Sequence, residues 1–482
     1  MPSMPAAAAP PLSLVLLESA HHVQQVWEGR SLTECLADTA PELRAASQAI
    51  SFYVLRELGL ARQLRAQLLA RKPAPQVDAL LCVALAVLNA AVLEEAESDS
   101  KRESSLHDGG RPQGAGEPYP EEGLSNSEGV APRRDRPRYA VHTVVDQAVE
   151  AAQAEASLRP FKSLINASLR RFLREREALI ERAQATPEGR WNFPGWWVRR
   201  IKKAYPKDWE AILATSNRPG PLSLRVNARR CTVPQLLEAF DQAGIQAWHS
   251  GEQAVIVAQP VPVTQLPGFA EGWWSVQDVS AQQAGALLPV QDGMRVLDAC
   301  AAPGGKTAHL LEQAALNMVA LDVDARRLRR VRENLQRLGL WGPSVQTVVG
   351  DAAELSDWWD GEPFDAILAD VPCTASGIVR RHPDIRWLRR DSDVQATAAL
   401  QERIVDALWQ TLKPGGHLLY VTCSIFPQEG EVQARAFQYR HPDAQALPAP
   451  GQVLPQATEF GQPSGDGFFY ALFRKDVVDL ST

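Results

Sequence analysis

The sequence predicts a multidomain α plus α/β protein with three parts. These are an all-helical N-terminal domain (residues 1–185), a small α+β domain (186–285) and a Rossmann-like, doubly wound α/β domain (286–482). Three observations lead there. Apolar residues recur at helical spacing from Leu12 to Leu93 and again from His142. Short β-rich runs mix with short helices between Trp191 and Gln283. From Met294 onward, apolar strands alternate with helical stretches. At 482 residues the chain exceeds one ordinary core, and 45% hydrophobic with 22% charged residues is an ordinary globular composition.

In the helical part, Leu55, Leu58, Leu64 and Leu68 illustrate the spacing. The longest apolar stretch, Ala79 to Leu93, has 15 residues interrupted by Asn89. That is short of the roughly 20 needed to cross a bilayer, so it reads as a buried helix. The apolar run Leu12–Leu17 stops at Glu18 without a basic leader, and the expectation is a cytoplasmic protein, off the membrane and monomeric. Residues 94–138 are rich in Gly, Pro, Ser and acids and read as a disordered insertion. Helical patterning then resumes through Lys162–Arg176, with Leu164, Leu169, Phe172 and Leu173 expected on the core and Arg170, Arg171, Arg174 and Arg176 expected elsewhere.

A net charge of −7 is unusual for a nucleic-acid binder, but residues 94–136 hold 11 acids and 6 bases, so the rest of the chain carries only −2. Local basic clusters therefore count for more than the total. One, in the small α+β part, is Arg199, Arg200, Lys202, Lys203 and Lys207 beside Trp196, Trp197 and Tyr205. It could track a phosphate backbone and stack bases, or be a plain surface. The β-rich runs of this part are Leu222–Asn227 and Ala254–Ala258.

The α/β part has strands expected at Met294–Ala299, Met318–Asp322, Val345–Val349, Phe364–Asp370 and His417–Thr422, with helices such as Ala325–Leu338 and Asp393–Leu412 between them. Ligands of such sheets lie beyond the carboxyl ends of the strands. After the first strand, Asp298-Ala-Cys-Ala-Ala-Pro-Gly-Gly-Lys-Thr forms a small-residue turn opening a helix near Gly305. A phosphate-binding P-loop would need glycine at position 300, where this chain has Cys300. Asp322 ends the second strand and Asp351 follows the third, where acids can meet ribose hydroxyls and adenine; a nucleoside cofactor without an essential phosphate contact fits best.

The six cysteines form no Cys-x-x-Cys pair, which argues against a zinc site or a disulfide framework, and no metal is expected. Two of them, Cys373 and Cys423, follow the fourth and fifth strands closely and should meet in one cleft. Thiols suit a cytosine ring, whose carbon 5 accepts a methyl group only after a nucleophile has added to carbon 6. Asp370 could bond the ring at N3 and the amino group. From the residues alone, either thiol could be the nucleophile. The run Arg380–Arg390 has five arginines against one aspartate and is placed to hold phosphates around a base turned out of its stack, or to be a solvated loop.

Ala299-Cys-Ala-Ala-Pro-Gly-Gly-Lys-Thr, Asp370-x-Pro-Cys, Lys413-Pro-Gly-Gly and Thr422-Cys-Ser together resemble the Nol1/Nop2/Sun family of RNA cytosine-C5 methyltransferases. The resemblance covers residues of about 220–475. Lys162-Ser-Leu-Ile-Asn-Ala-Ser-Leu-Arg-Arg-Phe is similar to the NusB-like antitermination domain. The pairing implies a bacterial enzyme methylating carbon 5 of a cytosine in small-subunit (16S) ribosomal RNA. It further implies an S-adenosyl-L-methionine site built from Cys300, Ala301, Ala302, Pro303, Gly304, Gly305 and Lys306 with Asp322, Asp351 and Asp370. By the same resemblance Cys423 is the nucleophile and Cys373 assists release of the product. Methylation of transfer RNA, or a non-enzymatic RNA-binding or antitermination factor, are the alternatives. The chain departs from the family's usual Asp-Ala-Pro-Cys-Ser-Gly at Val371, Thr374 and Ala375, and has Gly430 where the family usually has asparagine in Pro-x-Glu-Asn.

Overall fold

A computed structural model describes residues 9–107, 136–259, 261–457 and 464–477. The chain divides into two compact units, Met1–Gly195 and Trp196–Thr482.

Among its described residues the first unit is all-helical: α1 (Leu12–Trp27), α2 (Leu32–Asp38), α3 (Pro41–Leu68), α4 (Pro75–His107), α5 (Val141–Ala154), α6 (Lys162–Gln184) and α7 (Pro187–Trp191). Helix α4 is the hub, packed by α1, α3 and α5. Its stretch Pro75–Ser100 is long and apolar enough to span a membrane, yet 83% of the apolar window is buried within the unit. Asp78, at the start of α4, is buried against Arg65 at 2.6 Å. Gly59 in α3 has no room for a side chain: a Cβ would lie 2.3 Å from the Glu188 carbonyl of α7.

Two expectations are corrected here. The stretch 94–138 was expected to be disordered throughout, but α4 continues to His107. Three of its acids have partners: Arg136 meets Glu97 at 2.6 Å and Glu94 at 3.5 Å, and Glu95 accepts from the Val141 backbone at 3.0 Å. The remainder of the expected insertion, 108–135, lies outside the described residues. In α6 the buried stripe is Ile165, Leu169 and Phe172, whereas Leu164 is 38% exposed and Leu173 half-buried. The i, i+4, i+7 spacing selects Ile165, and Leu164 sits about 100° around the helix from it. Arg176 does not point outward but donates to Asn89 of α4 at 2.8 Å.

The second unit begins with α8 (Gly195–Ala204) and α9 (Trp209–Ser216). A small antiparallel sheet follows, built from β1 (Leu222–Val226), β2 (Ala247–Ser250), β3 (Ala254–Val257) and β4 (Trp274–Val276) in the order β2-β3-β1-β4, with α10 (Val233–Gln242) against it. Leu224, Val226, Val255, Leu236, Phe240 and Trp274 form its core. Helix α10 opens with a capping box in which Thr232 and Gln235 satisfy each other's backbone donors.

The larger sheet has seven strands among the described residues. They are β5 (Arg295–Ala299), β6 (Asn317–Asp322), β7 (Val345–Val349), β8 (Phe364–Asp370), β9 (Leu412–Thr422), β10 (Ala444–Val453) and β11 (Phe468–Lys475), ordered β10-β11-β9-β8-β5-β6-β7. Strands β5 to β9 are parallel, and β11 and β10 close one edge antiparallel. Helices α11 (Val279–Leu287), α12 (Gly305–Gln313) and α13 (Ala325–Leu338) cover one face, and α15 (Asp391–Gln410) and α16 (Glu431–Arg440) the other, with the one-turn α14 (Ile385–Leu388) before α15. This is the doubly wound arrangement expected, and it brings the carboxyl ends of β5, β6, β7, β8 and β9 to one edge.

Candidate active site

The loop leaving β5 turns sharply. Cys300 is left-handed at φ +65, and the Ala302–Pro303 peptide is cis. Gly304 has φ +94, and a Cβ there would lie 2.9 Å from Val331 of α13, so conformation and close approach both demand glycine. The loop is tied to β6: Ala301 N–H donates to the Leu321 carbonyl at 2.8 Å and Ala302 N–H to Asp322 Oδ2 at 3.2 Å. Asp322 also accepts from Asp324 N–H at 3.0 Å and pairs with Arg327 at 3.3 Å, while Arg327 donates to the Ala302 carbonyl at 2.9 Å. A carboxylate has about four lone-pair directions, so Asp322 keeps capacity for hydroxyl donors.

Beside this loop lies a cavity of about 150 Å³ lined by Cys300, Asp322, Arg327, Asp351, Pro372 and Ile404, among others. It unites the expected Cys300, Asp322 and Asp351. Ala301, Ala302, Pro303, Gly304 and Gly305 shape the turn without being among its lining residues. A larger hollow of about 320 Å³, bounded by Ser250–Ala254, α11 and His309, contains none of the expected site residues.

Beneath the loop, Asp298 is 1% exposed and accepts from Thr307 Oγ at 2.6 Å, while its other oxygen has no partner. Burial pushes its carboxyl up to about 7, against the pull of Thr307. Burial and the charges of Asp370, Asp322 and Asp298 push the Cys300 thiol far above its ordinary range, so it is not a ready nucleophile.

The second group of expected residues also converges. Asp370 and Val421 are paired in register on parallel β8 and β9. Cys373 lies three residues past Asp370 and Cys423 two past Val421, and their Sγ atoms are 3.4 Å apart. The hydrogen bond to Cys423, with burial, raises the Cys373 thiol well above its ordinary value, so Cys373 keeps its proton. Lys306 Nζ meets Asp370 Oδ2 at 2.6 Å and lies 5.5 Å from the centre of the Phe468 ring. Burial acts to lower the Lys306 ammonium, but Asp370 outweighs it and the net shift is upward, with Cys423 contributing. A fixed cation thus sits within electrostatic range of Cys423.

The arginine run is corrected by the structure. Arg380 and Arg386 are buried, Arg380 paired with Asp466 and Arg386 bonded to Asn217 and to the Ser216 carbonyl at 2.8 Å. Arg381 bridges Asp466 at 2.5 Å and Asp278 at 2.7 Å. Arg389 donates to the Thr374 carbonyl at 3.2 Å. Arg380, Arg381 and Arg386 are thus committed to holding the loop behind Cys373, not to phosphates. In the cluster on α8, Trp197 is buried and Tyr205 donates to the Ile425 carbonyl at 2.8 Å, so neither is available for stacking. Trp196, Arg199, Arg200 and Lys203 do line an open cleft of about 410 Å³ with Asp391 and Phe426–Gln428.

A family profile described as 16S rRNA methyltransferase RsmB/F matches residues 285–474, and one described as the RsmF/B-like ferredoxin-like domain matches 193–264. Ribosomal RNA small subunit methyltransferase B of Vibrio cholerae is 48% identical over 346 residues, covering 70% of this chain and 78% of that protein. The chain belongs to the RsmB/F methyltransferase family. The protein of the same description from Serratia proteamaculans is 47% identical over 339 residues, 69% of this chain and 78% of its own length. The crystal structure of PH0851 matches with TM-score 0.69 at 21% identity, covering 97% of this chain and 99% of its own, and so shares the fold.

The fold adds residues to which the motifs alone gave no role. Asp298 accepts from Thr307, Arg327 donates to the Ala302 carbonyl across the loop, and Glu429 accepts from Thr374 and Ser424, the residues after the two cysteines. Glu429 stood inside the Pro-x-Glu motif, so a signal was present. Arg327 looked like any exposed arginine of a basic helix.

Proposed function

We propose that this chain is an S-adenosylmethionine-dependent methyltransferase of small-subunit (16S) ribosomal RNA that modifies carbon 5 of a cytosine. Membership of the RsmB/F family supports the reaction class and an RNA substrate, and the carrying observation is the pair of thiols 3.4 Å apart at adjacent strand tips, beside the Lys306–Asp370 ion pair. The proposed division is a helical RNA-binding domain at 1–185, a small RNA-binding domain at 186–285 and the methyltransferase domain at 286–482. The enzyme is taken to act in the cytoplasm as a monomer.

The residues fit a nucleoside cofactor bearing an amino acid. The unpartnered oxygen of buried Asp298 suits a cationic group near the loop, Asp322 suits ribose hydroxyls, and Asp351 with Pro372 and Ile404 suits an adenine ring. Cys300 to Lys306 would hold that cofactor, which when bound supplies an electrophilic methyl group.

The chain's own residues then divide the work. The Cys423 thiolate adds to carbon 6, forming the S–C6 bond and moving the C5=C6 electron pair toward carbon 5 and the ring. Asp370 accepts from the ring's amino group, and the Lys306 ammonium offsets the negative charge that builds as sulfur adds. Carbon 5, now nucleophilic, would receive the methyl group, whose bond to the donor's sulfur would break with its electron pair left on that sulfur. The carbon 5 proton then leaves to a base, the double bond re-forms and the S–C6 bond breaks. Cys373, holding its proton beside Cys423, assists this release.

The test is transfer of labelled methyl to 16S rRNA by wild type, Cys423→Ala and Cys373→Ala, with denaturing gels for adducts. Labelled 5-methylcytosine from wild type, inert Cys423→Ala and a covalent protein–RNA species from Cys373→Ala support the assignment. Activity retained in Cys423→Ala overturns it.

A further inference from the structure

Glu429 ends the short turn Pro427–Glu429 between β9 and α16 and is 0% exposed. Its Oε1 accepts from the Thr374 backbone N–H at 2.7 Å and from Thr397 Oγ at 2.6 Å. Its Oε2 accepts from Ser424 Oγ at 2.6 Å and from the Thr374 hydroxyl. Gln401 Nε2 also donates to Oε1 at 3.5 Å, and all five donors are neutral. Thr374 immediately follows Cys373 and Ser424 immediately follows Cys423, so one carboxylate grips the residue after each thiol. The two segments are cross-braced further: Ser376 Oγ lies 2.9 Å from Ser424 Oγ and accepts from Ile425 N–H at 2.8 Å, and Gly377 N–H donates to the Cys423 carbonyl at 2.9 Å. The Glu429 carbonyl in turn accepts from Tyr420 OH at 2.8 Å.

Burying a carboxylate among neutral donors is expensive, and it is tolerated only where several donors converge on it. A glutamine here would turn its NH₂ toward hydroxyls and an amide N–H that already act as donors. A shorter aspartate could not reach both segments at once. We propose that Glu429 is the positioning residue that sets the separation and mutual orientation of the Cys373 and Cys423 thiols. This rests on the reading of both thiols as reacting groups. Addition and release need the two sulfurs at one ring, and a loop shift of about 1 Å can cost roughly 100-fold in rate.

The direct test needs neither RNA nor methyl donor. The two thiols are equilibrated with glutathione, where protein dithiol and oxidised glutathione give a protein disulfide and two reduced glutathiones. The equilibrium constant is the effective concentration of one thiol at the other. In Glu429→Gln it should fall about 10-fold or more, with Glu429→Asp between it and wild type, while S-adenosylmethionine affinity by calorimetry stays within about 2-fold. In the methylation assay, kcat of Glu429→Gln should fall about 100-fold with KM for RNA nearly unchanged. Single-arm variants should split the effect: Ser424→Ala slows adduct formation, and Thr374→Val lets the adduct form and accumulate.

An unchanged thiol equilibrium in Glu429→Gln overturns the proposal, as does a loss of methyl-donor affinity in step with kcat, which would mark a general structural role. If Glu429→Gln does not fold, Ser424→Ala and Thr374→Val decide through the same equilibrium: a fall in both supports the proposal, and wild-type values overturn it. Failure of wild type to methylate RNA would sink the functional reading, and the glutathione equilibrium would still report separately on Glu429.

Discussion

Replacing Arg225 by methionine should test how the small sheet supports the cofactor loop. Arg225 on β1 and Glu312 on α12 are buried, with side-chain exposures of 0% and 1%. The guanidinium donates to both Glu312 oxygens, at 3.1 and 2.7 Å, to the Gly305 carbonyl at 2.6 Å, and to Gln277. Burial nevertheless holds the Glu312 carboxyl above its ordinary range, outweighing Arg225 and Arg229, so the pair does not fully offset its own desolvation. Removing the arginine alone strands a buried carboxylate and should cost about 3–5 kcal/mol. The penalty should shrink as pH falls and Glu312 takes up a proton. The double variant Arg225→Met/Glu312→Leu removes both charges and should recover most of that loss, ending near wild type. Urea denaturation monitored by tryptophan fluorescence measures the cycle, since Trp274 lies on β4 beside β1. Gly305 is the first residue of α12, so both Arg225→Met forms should also bind S-adenosylmethionine about 10-fold more weakly, roughly 1.4 kcal/mol. A single-variant cost below about 1 kcal/mol, or a double variant as unstable as the sum of the singles, would refute the reasoning.

Four further outcomes follow from the structure. The Asp298 carboxyl, raised from 3.8 to about 7, keeps its proton in the folded chain where the unfolded chain has lost it. Its stabilising contribution is therefore present at low pH and is lost as pH rises between about 4 and 7, by at most about 4 kcal/mol; Asp298→Asn should flatten urea midpoints over that window and exceed wild type at pH 8. Ala375 sits at φ +57, where family members usually have glycine, so Ala375→Gly should stabilise by about 0.5–1 kcal/mol in thermal denaturation without lowering kcat. Arg199→Ala and Lys203→Ala in the cleft beside Phe426 should each reduce the slope of log affinity for RNA against log salt by about 1. Arg386→Met should leave that slope intact while destabilising the fold, and the reverse pattern would restore the phosphate-holding reading of the arginine run.

The central strands β5, β6, β8 and β9 were legible because each is an apolar run ended by a small or acidic residue, and parallel strands buried on both faces read that way. The edge was not. Strand β10 carries Pro448 and Pro450 with Gly451 and has a register irregularity between Leu447 and Gly451. Proline is tolerated there because an edge strand has one row of unpaired N–H groups, and no local pattern distinguishes this from a loop. The start of the expected insertion misled for a related reason: Glu94, Glu95 and Glu97 look like solvated charge until Arg136 and the Val141 backbone return to them from some 40 residues away.

The contrast between the cysteines and the arginines shows what kind of information a sequence carries about a site. Cys373 and Cys423 could be brought together on paper because a topological rule acts on them: strand ends at one edge of a sheet share a cleft, and the Asp370–Val421 register turns that rule into a 3.4 Å separation. No comparable rule joins Arg380 and Arg381 to Asp466, or Arg381 to Asp278, which lies in a different part of the sequence. Counting charges in a window registers five arginines and one aspartate, and so predicts an open basic loop. The neutralising carboxylates arrive through tertiary structure, and they turn the run inward. Glu429 lies between these cases. Its motif was visible, but its purpose depends on Thr374, Thr397 and Ser424 converging from three segments, and only the folded chain puts those donors around one carboxylate.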